Sequence, residues 1–338
     1  MTLDREHPHL RSASAAPAGT DLIDGPPIRV AIHDNWRDVP EALDYLTPRG
    51  SGSWGRVTFG SAADIADPDF ILVFNSPPSD VVVECPPERL WFACGEPPTR
   101  YHAPMHVGQG EGTVVLTCDE RFARHPELSR QRTYMTTLPM LRTWSVRRRV
   151  GVLDRMADVP KSRDLSWVTS NLLLVPGHHD RMRFLEALRR EVPFDLFGRG
   201  FAPIDDKWDG VAPYRYSIAF ENCIHPFYFS EKIMDCFACL TMPIYVGSPA
   251  IGQFFPPESF VAIDPADPGV FERIREVVAS DRRERSLDHL RNARRLVLAR
   301  YNLFLQIARL MARRLAPPSP ARRFALKRVR LGLRHRTA

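Results

Sequence analysis

One segment of the sequence, residues 216–249, concentrates polar side chains that could bind an anion. Ser230 precedes two residues of opposite charge, Glu231 and Lys232. Serine is a favourable N-cap residue, so this pattern predicts a helix that begins at Glu231. The free N–H groups and positive potential at a helix start favour a phosphate group. Lys232 would then contact a bound anion, and the alternative is a surface pair with Asp235, three residues later.

Further candidate ligands lie where predicted strands end. Asn222 follows the apolar run Tyr216–Phe220, Ser248 follows the run Pro243–Val246, and Tyr228 lies in the loop between the two runs. Ligands of open α/β sheets bind beyond the carboxyl ends of the strands, so these side chains are expected to line one pocket. For Asn222 and Ser248 an ordinary role in a turn is the alternative.

The first half of the chain offers a carboxylate that could act as a general base. Glu96 follows the apolar run Leu90–Cys94, and a base at a strand end would face the cleft of an α/β protein. The alternative is a hydrogen-bonded turn residue before Pro97. Asp119, which follows the run Val114–Thr117, is a second candidate carboxylate.

Arg181 is a candidate phosphate ligand because it opens a predicted helix, Asp180–Glu191, that follows the predicted strand Ser166–Thr169. A guanidinium group in that place can make two hydrogen bonds to phosphate oxygens, and the alternative is a solvated arginine. No metal site is predicted. The Asp-x-Asp triplet Asp67-Pro68-Asp69 precedes its strand instead of following it, which is typical of a turn.

Short apolar runs alternate with helical patterns in both halves of the chain, which predicts an α/β fold with two doubly wound domains and a cleft between them. The predicted strands are Ile28–Ile32, Phe70–Phe74, Leu90–Cys94, Val114–Thr117, Ser166–Thr169, Phe194–Phe197, Tyr216–Phe220, Pro243–Val246 and Phe260–Ile263, and the predicted helices are Asp180–Glu191, Glu231–Leu240 and a series over 270–315. The predicted parts are a flexible arm (1–25), an N-terminal domain (26–145), a linker (146–165), a C-terminal domain (166–316) and a basic tail (317–338).

Composition excludes several classes of protein. With 338 residues, of which 44% are hydrophobic and 25% charged, the chain can bury a core of ordinary size and is not a disordered protein. The six cysteines lie in apolar segments, which predicts reduced thiols and not a disulfide framework. The N-terminus lacks the apolar core of a secretory signal and no run is long enough to span a membrane, which predicts a cytoplasmic protein.

The formal net charge of +6 comes from the end of the chain. Residues 321–338 hold seven basic residues and no acidic one, and the other residues are 39 basic and 40 acidic. A near-neutral body without a nucleic-acid-binding motif argues against a nucleic-acid partner. Apolar residues such as Phe324 and Leu331 interleave with the arginines, so the tail is either an amphipathic segment that docks on an anionic membrane or a solvated tail.

Several of these motifs, in this order, resemble the donor-binding signature of the family-10 glycosyltransferases, the α1,3/α1,4-fucosyltransferases. The similar segments are Val168–Asn171 with Arg181, Phe220–Asn222, Tyr228–Ile233, Pro243–Pro249 and Phe254–Val261, within a match of about 100 residues from Ser166 to Asp264. Gly95-Glu96 is also similar to a strand-end turn of that family.

The resemblance implies a GT-B fold, in which two Rossmann-like domains enclose the cleft, GDP-fucose is bound by the C-terminal domain and a glycan acceptor approaches the N-terminal one. It also implies an inverting reaction that requires neither a metal nor another cofactor, and a basic tail that contacts the inner face of the membrane. The roles it implies are general base for Glu96, diphosphate binding for Arg181 and Lys232, ribose binding for Glu231, and contact with the donor for Asn222, Tyr228 and Ser248.

Three alternatives remain open from the sequence. The same fold could use another nucleotide sugar such as GDP-mannose, because contacts to phosphate and ribose do not distinguish the hexose. The chain could be a glycan-binding protein without turnover, or a nucleic-acid-binding protein that uses its basic tail.

Overall fold

The computed structural model describes residues 22–35, 39–123, 132–135, 143–315 and 317–329. Most of the predicted flexible arm and the last nine residues of the predicted tail lie outside these ranges. The described chain contains three sheets and the helices that cover them.

The N-terminal half is built on a seven-stranded sheet with the strand order β2-β3-β1-β4-β6-β7-β8. Its strands pair in parallel, except that β2 is antiparallel to β3. The strands of this half are β1 (Ile28–Asp34), β2 (Ser53–Trp54), β3 (Val57–Ser61), β4 (Phe70–Phe74), β5 (Val81–Cys85, outside this sheet), β6 (Leu90–Ala93), β7 (Val114–Thr117) and β8 (Arg132–Met135). The four strands predicted from apolar runs are β1, β4, β6 and β7, which are neighbours at the centre of the sheet, where both faces are covered.

The C-terminal half contains a second, five-stranded parallel sheet with the order β10-β9-β11-β12-β13. Its strands are β9 (Arg163–Val168), β10 (Asp195–Phe197), β11 (Tyr214–Phe220), β12 (Met242–Val246) and β13 (Val261–Ala262). Two parallel sheets with crossover helices confirm the predicted α/β fold with two Rossmann-like domains.

Helices connect and cover the strands. Those of the N-terminal half and the linker are α1 (Val39–Leu46), α2 (Ala103–Val107), α3 (Glu120–Ala123) and α4 (Val150–Arg155); those that follow are α5 (Pro176–Glu191), α6 (Lys207–Val211), α7 (Glu231–Ala238), α8 (Val270–Ala279), α9 (Arg282–Arg285), α10 (Leu287–Arg295) and α11 (Leu303–Ala312). A π-helical segment, Leu296–Arg300, joins α10 to the turn before α11. Helix α7 ends before the predicted Leu240, because Leu240 itself has a φ of +54° and cannot continue a right-handed helix.

The last helix, α11, returns to the N-terminal half, although the sequence pattern places it with the C-terminal domain. Asn302 donates to the carbonyl of Leu46 at 2.8 Å, and the N–H of Leu303 donates to the Thr143 hydroxyl at 3.0 Å. The rings of Phe59 and Phe304 pack with centroids 5.1 Å apart. The two halves are therefore joined by packing as well as by the chain.

The first part of the basic tail forms a strand that packs on the N-terminal domain. Strand β14 (Arg322–Leu326) pairs antiparallel with β5 in a separate two-stranded sheet. Alternation places Phe324 and Leu326 on one face, against a small apolar cluster that includes Val83 and Phe92. Residues 322–326 are therefore neither a free solvated tail nor a segment with a free apolar face, and residues 330–338 of the tail lie outside the described residues.

Specific side chains fix the tail after this strand. Gln109 accepts from the N–H of Lys327 at 2.7 Å and donates to its carbonyl at 2.9 Å. The ammonium group of Lys327 lies 3.0 Å from Asp80, and the N–H of Val329 donates to Ser76 at 2.7 Å. The first part of the tail is thus an integral part of the N-terminal domain.

The described chain contains no helix that is both long and apolar enough to cross a membrane. All six cysteines are free thiols, as expected from their positions in apolar segments.

Candidate functional site

The starts of two helices meet the carboxyl ends of two neighbouring strands. Helix α5 follows β9, helix α7 follows β11, and these two strands pair side by side. The first turn of α5 lies so close to the residue after β11 that a Cβ on Gly177 would be 1.9 Å from the carbonyl oxygen of Asn222. The starts of α5 and α7 therefore lie at the same edge of the sheet.

Lys232 is held by oxygen atoms at the start of α7. Ser230 caps the helix by accepting from the N–H of Lys232, and its hydroxyl lies 2.9 Å from the lysine Nζ. Nζ is also 3.4 Å from Glu221 Oε2 and 3.4 Å from Glu231 Oε1. Burial alone would lower the pKa of Lys232, but the two carboxylates outweigh it and raise the pKa. The alternative surface pair with Asp235 is wrong, since Asp235 is buried and bound elsewhere.

Glu221 is a buried structural carboxylate. It is 1% exposed and accepts from both the N–H (2.8 Å) and the hydroxyl (2.8 Å) of Ser230. Burial raises its pKa, while Lys232 and Ser230 oppose that rise. Glu221 therefore fixes the start of α7 against the end of β11.

Glu231 presents an ionised carboxylate with an unused oxygen. Burial would raise its pKa, but Lys232 and Lys207 outweigh it and lower the pKa to about 2. Its Oε1 lies 3.7 Å from the Nζ of Lys207. Its Oε2 is buried and has no hydrogen-bond partner among the described residues. Such an atom can accept a hydrogen bond from a ligand hydroxyl.

Arg181 lies beside this group with its guanidinium group partly engaged. The residue is 3% exposed, and its Nη atoms donate to Asn222 Oδ1 at 2.5 Å and to the Ser170 carbonyl at 2.9 Å. Its Nε has no partner among the residues that the structure describes. Burial lowers its pKa, and Glu231 and Glu221 oppose this change. An anion would compensate this buried cation.

Glu96 faces this group from the N-terminal domain. It follows β6, its side chain is 14% exposed, and its Oε2 is 3.6 Å from Nε2 of His102. Burial and the negative charge of Glu231 raise its pKa to about 7, and Lys232 opposes the rise. Glu96 is therefore within electrostatic reach of α7, and its carboxyl group can exchange a proton near neutral pH.

The remaining predicted ligands differ in how available they are. Tyr228 is buried, and its pKa is raised by burial and by Glu221, Glu96 and Glu231, so it lies among the carboxylates of the site. Ser248 uses its hydroxyl within the loop, where it donates to the Pro226 carbonyl at 2.6 Å. The contact of Ser248 with a ligand thus remains a prediction.

A cavity of about 410 Å³ lies beyond the ends of β12 and β13, lined partly by Gly247, Ser248 and Asp264.

Asp119 is not available as a base. Its buried carboxylate forms two hydrogen bonds with the guanidinium group of Arg121, at 2.9 and 2.6 Å. Burial would raise its pKa, but these bonds outweigh it and lower the pKa. No cluster of three or more potential metal ligands occurs within the described ranges of the chain.

Two residues of the site were not predicted from the sequence, Lys207 and Asp235. Lys207 lies between Glu231 and Asp235, at 3.3 Å from Asp235 Oδ2. Asp235 also accepts from the N–H groups of Ser145 (2.5 Å) and Val146 (3.2 Å), which belong to the connection between the domains. Lysine is rare in this sequence, with four residues, and this rarity is the feature by which Lys207 could have been singled out.

The C-terminal part of the site lies in a segment that matches a known family. Residues 159–280 match the family model described as glycosyltransferase family 10 (fucosyltransferase), C-terminal part. A 3-galactosyl-N-acetylglucosaminide 4-α-L-fucosyltransferase of Pan troglodytes is 27% identical over 109 residues, which are 31% of this chain and 28% of that protein. The chain thus matches less than a third of the length of this curated relative.

Two solved structures resemble more than four-fifths of the chain at low sequence identity. A DNA-modifying β-glucosyltransferase is 9% identical, with a TM-score of 0.50 and coverage of 84% of this chain and 99% of that one. An α1,3-fucosyltransferase crystallised with GDP-fucose is 18% identical, with a TM-score of 0.46 and coverage of 83% and 86%. The first of these similarities supports the two-domain glycosyltransferase fold.

Proposed function

Because residues 159–280 match the family model of glycosyltransferase family 10, we propose that this chain transfers fucose from GDP-fucose to a hydroxyl group of a glycan. The observation that carries the proposal is the charged group at the two helix starts, where Asn222 holds Arg181, and Lys232 lies 3.4 Å from Glu231, whose Oε2 has no partner among the described residues. Glu96, whose pKa is raised to about 7 by burial and by the charge of Glu231, belongs to the other domain. The acceptor hydroxyl and the donor would meet between these two groups.

In the proposed reaction Glu96 acts as the general base. Its carboxylate takes the proton of the acceptor hydroxyl while that oxygen attacks the anomeric carbon, and the bond from this carbon to the GDP oxygen breaks in the same displacement. Attack from the side opposite GDP inverts the configuration. A raised pKa makes Glu96 a stronger base than an exposed glutamate, although less of it is ionised at a given pH.

The C-terminal domain would bind GDP and accept the charge of the leaving group. Arg181 and Lys232, together with the N–H groups at the starts of α5 and α7, are the proposed diphosphate ligands. The free Oε2 of Glu231 would accept a hydrogen bond from a ribose hydroxyl. Asn222, Tyr228 and Ser248 are the proposed lining of the donor pocket.

The decisive experiment is Glu96→Gln, which keeps the shape of the side chain and removes its basicity. We expect transfer to fall by about 10²–10⁴ while GDP affinity, measured by calorimetry, stays at the wild-type value. Glu111→Gln, an exposed carboxylate of the same domain, is the matched control and should retain full activity. Full transfer by Glu96→Gln would show that the base lies elsewhere.

The identity of the sugar needs a separate test. Thermal shift with GDP-fucose, GDP-mannose and UDP-sugars, followed by transfer of the best donor to a panel of glycans, distinguishes fucose transfer from the use of another sugar. Donor binding without turnover on every acceptor would favour a glycan-binding protein.

We also propose that the tail makes the membrane contact implied by the resemblance, through residues beyond Val329. Residues 322–329 are already engaged on the N-terminal domain, so a fragment 1–320 would lose part of that domain. The suitable comparison is the full chain against 1–329 in co-sedimentation with anionic liposomes. Equal binding of the two would contradict the contact.

A further inference from the structure

The strand that precedes Glu96 is extended by a side chain of its neighbour. Strands β4 and β6 pair in parallel, and their last pair in register is Phe74 with Ala93. In a regular parallel ladder, the residue after Phe74 would donate its N–H to the carbonyl of Ala93. Its own carbonyl would accept from the N–H of the residue two positions after Ala93. The residue after Phe74 is Asn75, and the residue that would donate its N–H to the Asn75 carbonyl is Gly95.

Asn75 makes both bonds but uses its side chain for the second. Its N–H donates to the Ala93 carbonyl at 2.8 Å, as the ladder requires. The N–H of Gly95 donates to the side-chain Oδ1 of Asn75 at 3.0 Å. Asn75 has a φ of +57°, so its backbone has left the strand direction while the amide group of its side chain takes the place of the missing peptide carbonyl.

Asparagine suits this position for two reasons. Its amide has the same acceptor as a peptide group, and it tolerates the left-handed conformation better than most residues. The side chain is also shielded, because Asn75 is 5% exposed. Pro97 and Pro98, which follow Glu96, have no N–H, so the bond to Gly95 is an important restraint on this part of the loop.

We propose that Asn75 is a positioning residue that sets the place of Glu96 in the cleft by holding the N–H of Gly95. The proposal rests on the proposed function, since it takes Glu96 as the base. Asn75 acts through the backbone and needs no contact with either substrate. Because a displaced base must reach the acceptor proton from a poorer geometry, loss of the bond lowers the rate of transfer more than the affinity for GDP.

The test compares two substitutions at Asn75 with a control. Asn75→Gly permits the same φ but removes the acceptor, and we expect kcat for transfer to fall by about 10- to 100-fold with GDP affinity unchanged. Asn75→Asp keeps an acceptor oxygen and adds a negative charge. We expect it to retain most of the wild-type rate at high pH, with the acid limb of its pH profile moved to higher pH.

Asn302→Gly is the matched control, because Asn302 is equally buried but contacts Leu46, away from the site. It should lower the melting temperature and leave kcat intact. The charged groups that shift the pKa of Glu96 are Glu231 and Lys232 from the other domain. His102 lies 3.6 Å from Glu96, and Glu96 in turn raises the pKa of Cys94 and of Tyr228.

Two results would overturn the role of Asn75. One is a wild-type kcat for Asn75→Gly alongside an inactive Glu96→Gln. The other is an Asn75→Asp variant as slow as Asn75→Gly at every pH, since the retained oxygen would then have no effect. Full transfer by Glu96→Gln would instead overturn the assignment of the base, so the two failures are distinguishable.

Discussion

Arg181 and Lys232 are engaged by oxygen atoms even without a ligand, Arg181 by Asn222 and Lys232 by Glu221 and Ser230. A diphosphate that binds here would contact cations that already make hydrogen bonds or ion pairs within the chain. These local contacts hold both side chains in place, so little conformational entropy is lost when an anion binds.

Removal of either cation should weaken donor binding. We expect Lys232→Met and Arg181→Met each to reduce GDP affinity about 10- to 100-fold, since a hydrogen bond to a charged group contributes about 1.5–3 kcal/mol. Calorimetry with GDP measures this directly. Arg283→Met is the matched control, because Arg283 is buried against Asp158 and the Leu240 carbonyl at the other end of the sheet. An unchanged GDP affinity in both variants would contradict the assignment.

The pKa of Glu96 predicts how transfer depends on pH. A general base must be ionised, and burial together with Glu231 raises the pKa of Glu96 to about 7. Acceptor-dependent kcat/KM should therefore fall as pH decreases through about 7. Glu231 remains ionised throughout, because its pKa is about 2. A profile that is flat from about pH 5 to about pH 9 would exclude Glu96 as the titrating base.

At the residue scale the sequence predicted the members of the site better than their contacts. Ser230 as a helix cap followed from residue type alone, and it is confirmed. The pair of Lys232 with Asp235 was wrong because spacing along a helix does not show which face is buried. Asn75 was missed, although it follows an apolar strand in the same way as Glu96, because its bond to Gly95 depends on which strands are neighbours.

Among the elements, α5 is placed against the end of β11 by close backbone contact. Gly177 in the first turn of α5 leaves no space for a side chain against Asn222. The start of α5 can therefore lie this close to the end of β11 only if this position lacks a Cβ.

Gly177→Ala should separate these elements. We expect a loss of about 1–3 kcal/mol in the free energy of unfolding, with reduced GDP affinity, because the added methyl group must displace backbone atoms. Gly252→Ala is the control, since the nearest atom to its added Cβ is 3.7 Å away. Denaturant unfolding and calorimetry measure both effects. Wild-type GDP affinity in Gly177→Ala would show that the contact does not shape the site.

In the N-terminal half, strands buried on both faces were predictable as elements, whereas strands at the periphery were not. Strand β4 is buried at all five positions and reads as a continuous apolar run. Strand β5 alternates between exposed and buried residues and includes Glu84, and β14 carries two arginines. Their pairing joins segments far apart in the sequence, and local pattern does not report such pairing.

For the whole molecule, the sequence indicated two domains but not that the end of the described chain returns to the first of them. Both α11 and β14 pack on the N-terminal half after the C-terminal domain is complete. The basic residues of the tail suggested a role for its charge, whereas the packing of the tail on the N-terminal domain depends on Phe324 and Leu326.

Removal of this packing should destabilise the N-terminal domain. Leu326 is 1% exposed, so Leu326→Ala should cost about 2–5 kcal/mol in the free energy of unfolding. Arg323→Ala, an exposed change in the same strand, should stay within about 0.5 kcal/mol of wild type. Urea unfolding monitored by fluorescence measures both. Equal stability of the two variants would mean that the strand is only loosely attached.

Strand β14 also has a consequence for synthesis on the ribosome. Domains generally fold in the order in which they emerge, the N-terminal one first. Here the partner of β5 is translated about 240 residues later, after the entire second domain. The apolar surface that includes Val83 and Phe92 therefore stays uncovered on the nascent chain, and the first domain to emerge is the last to be completed.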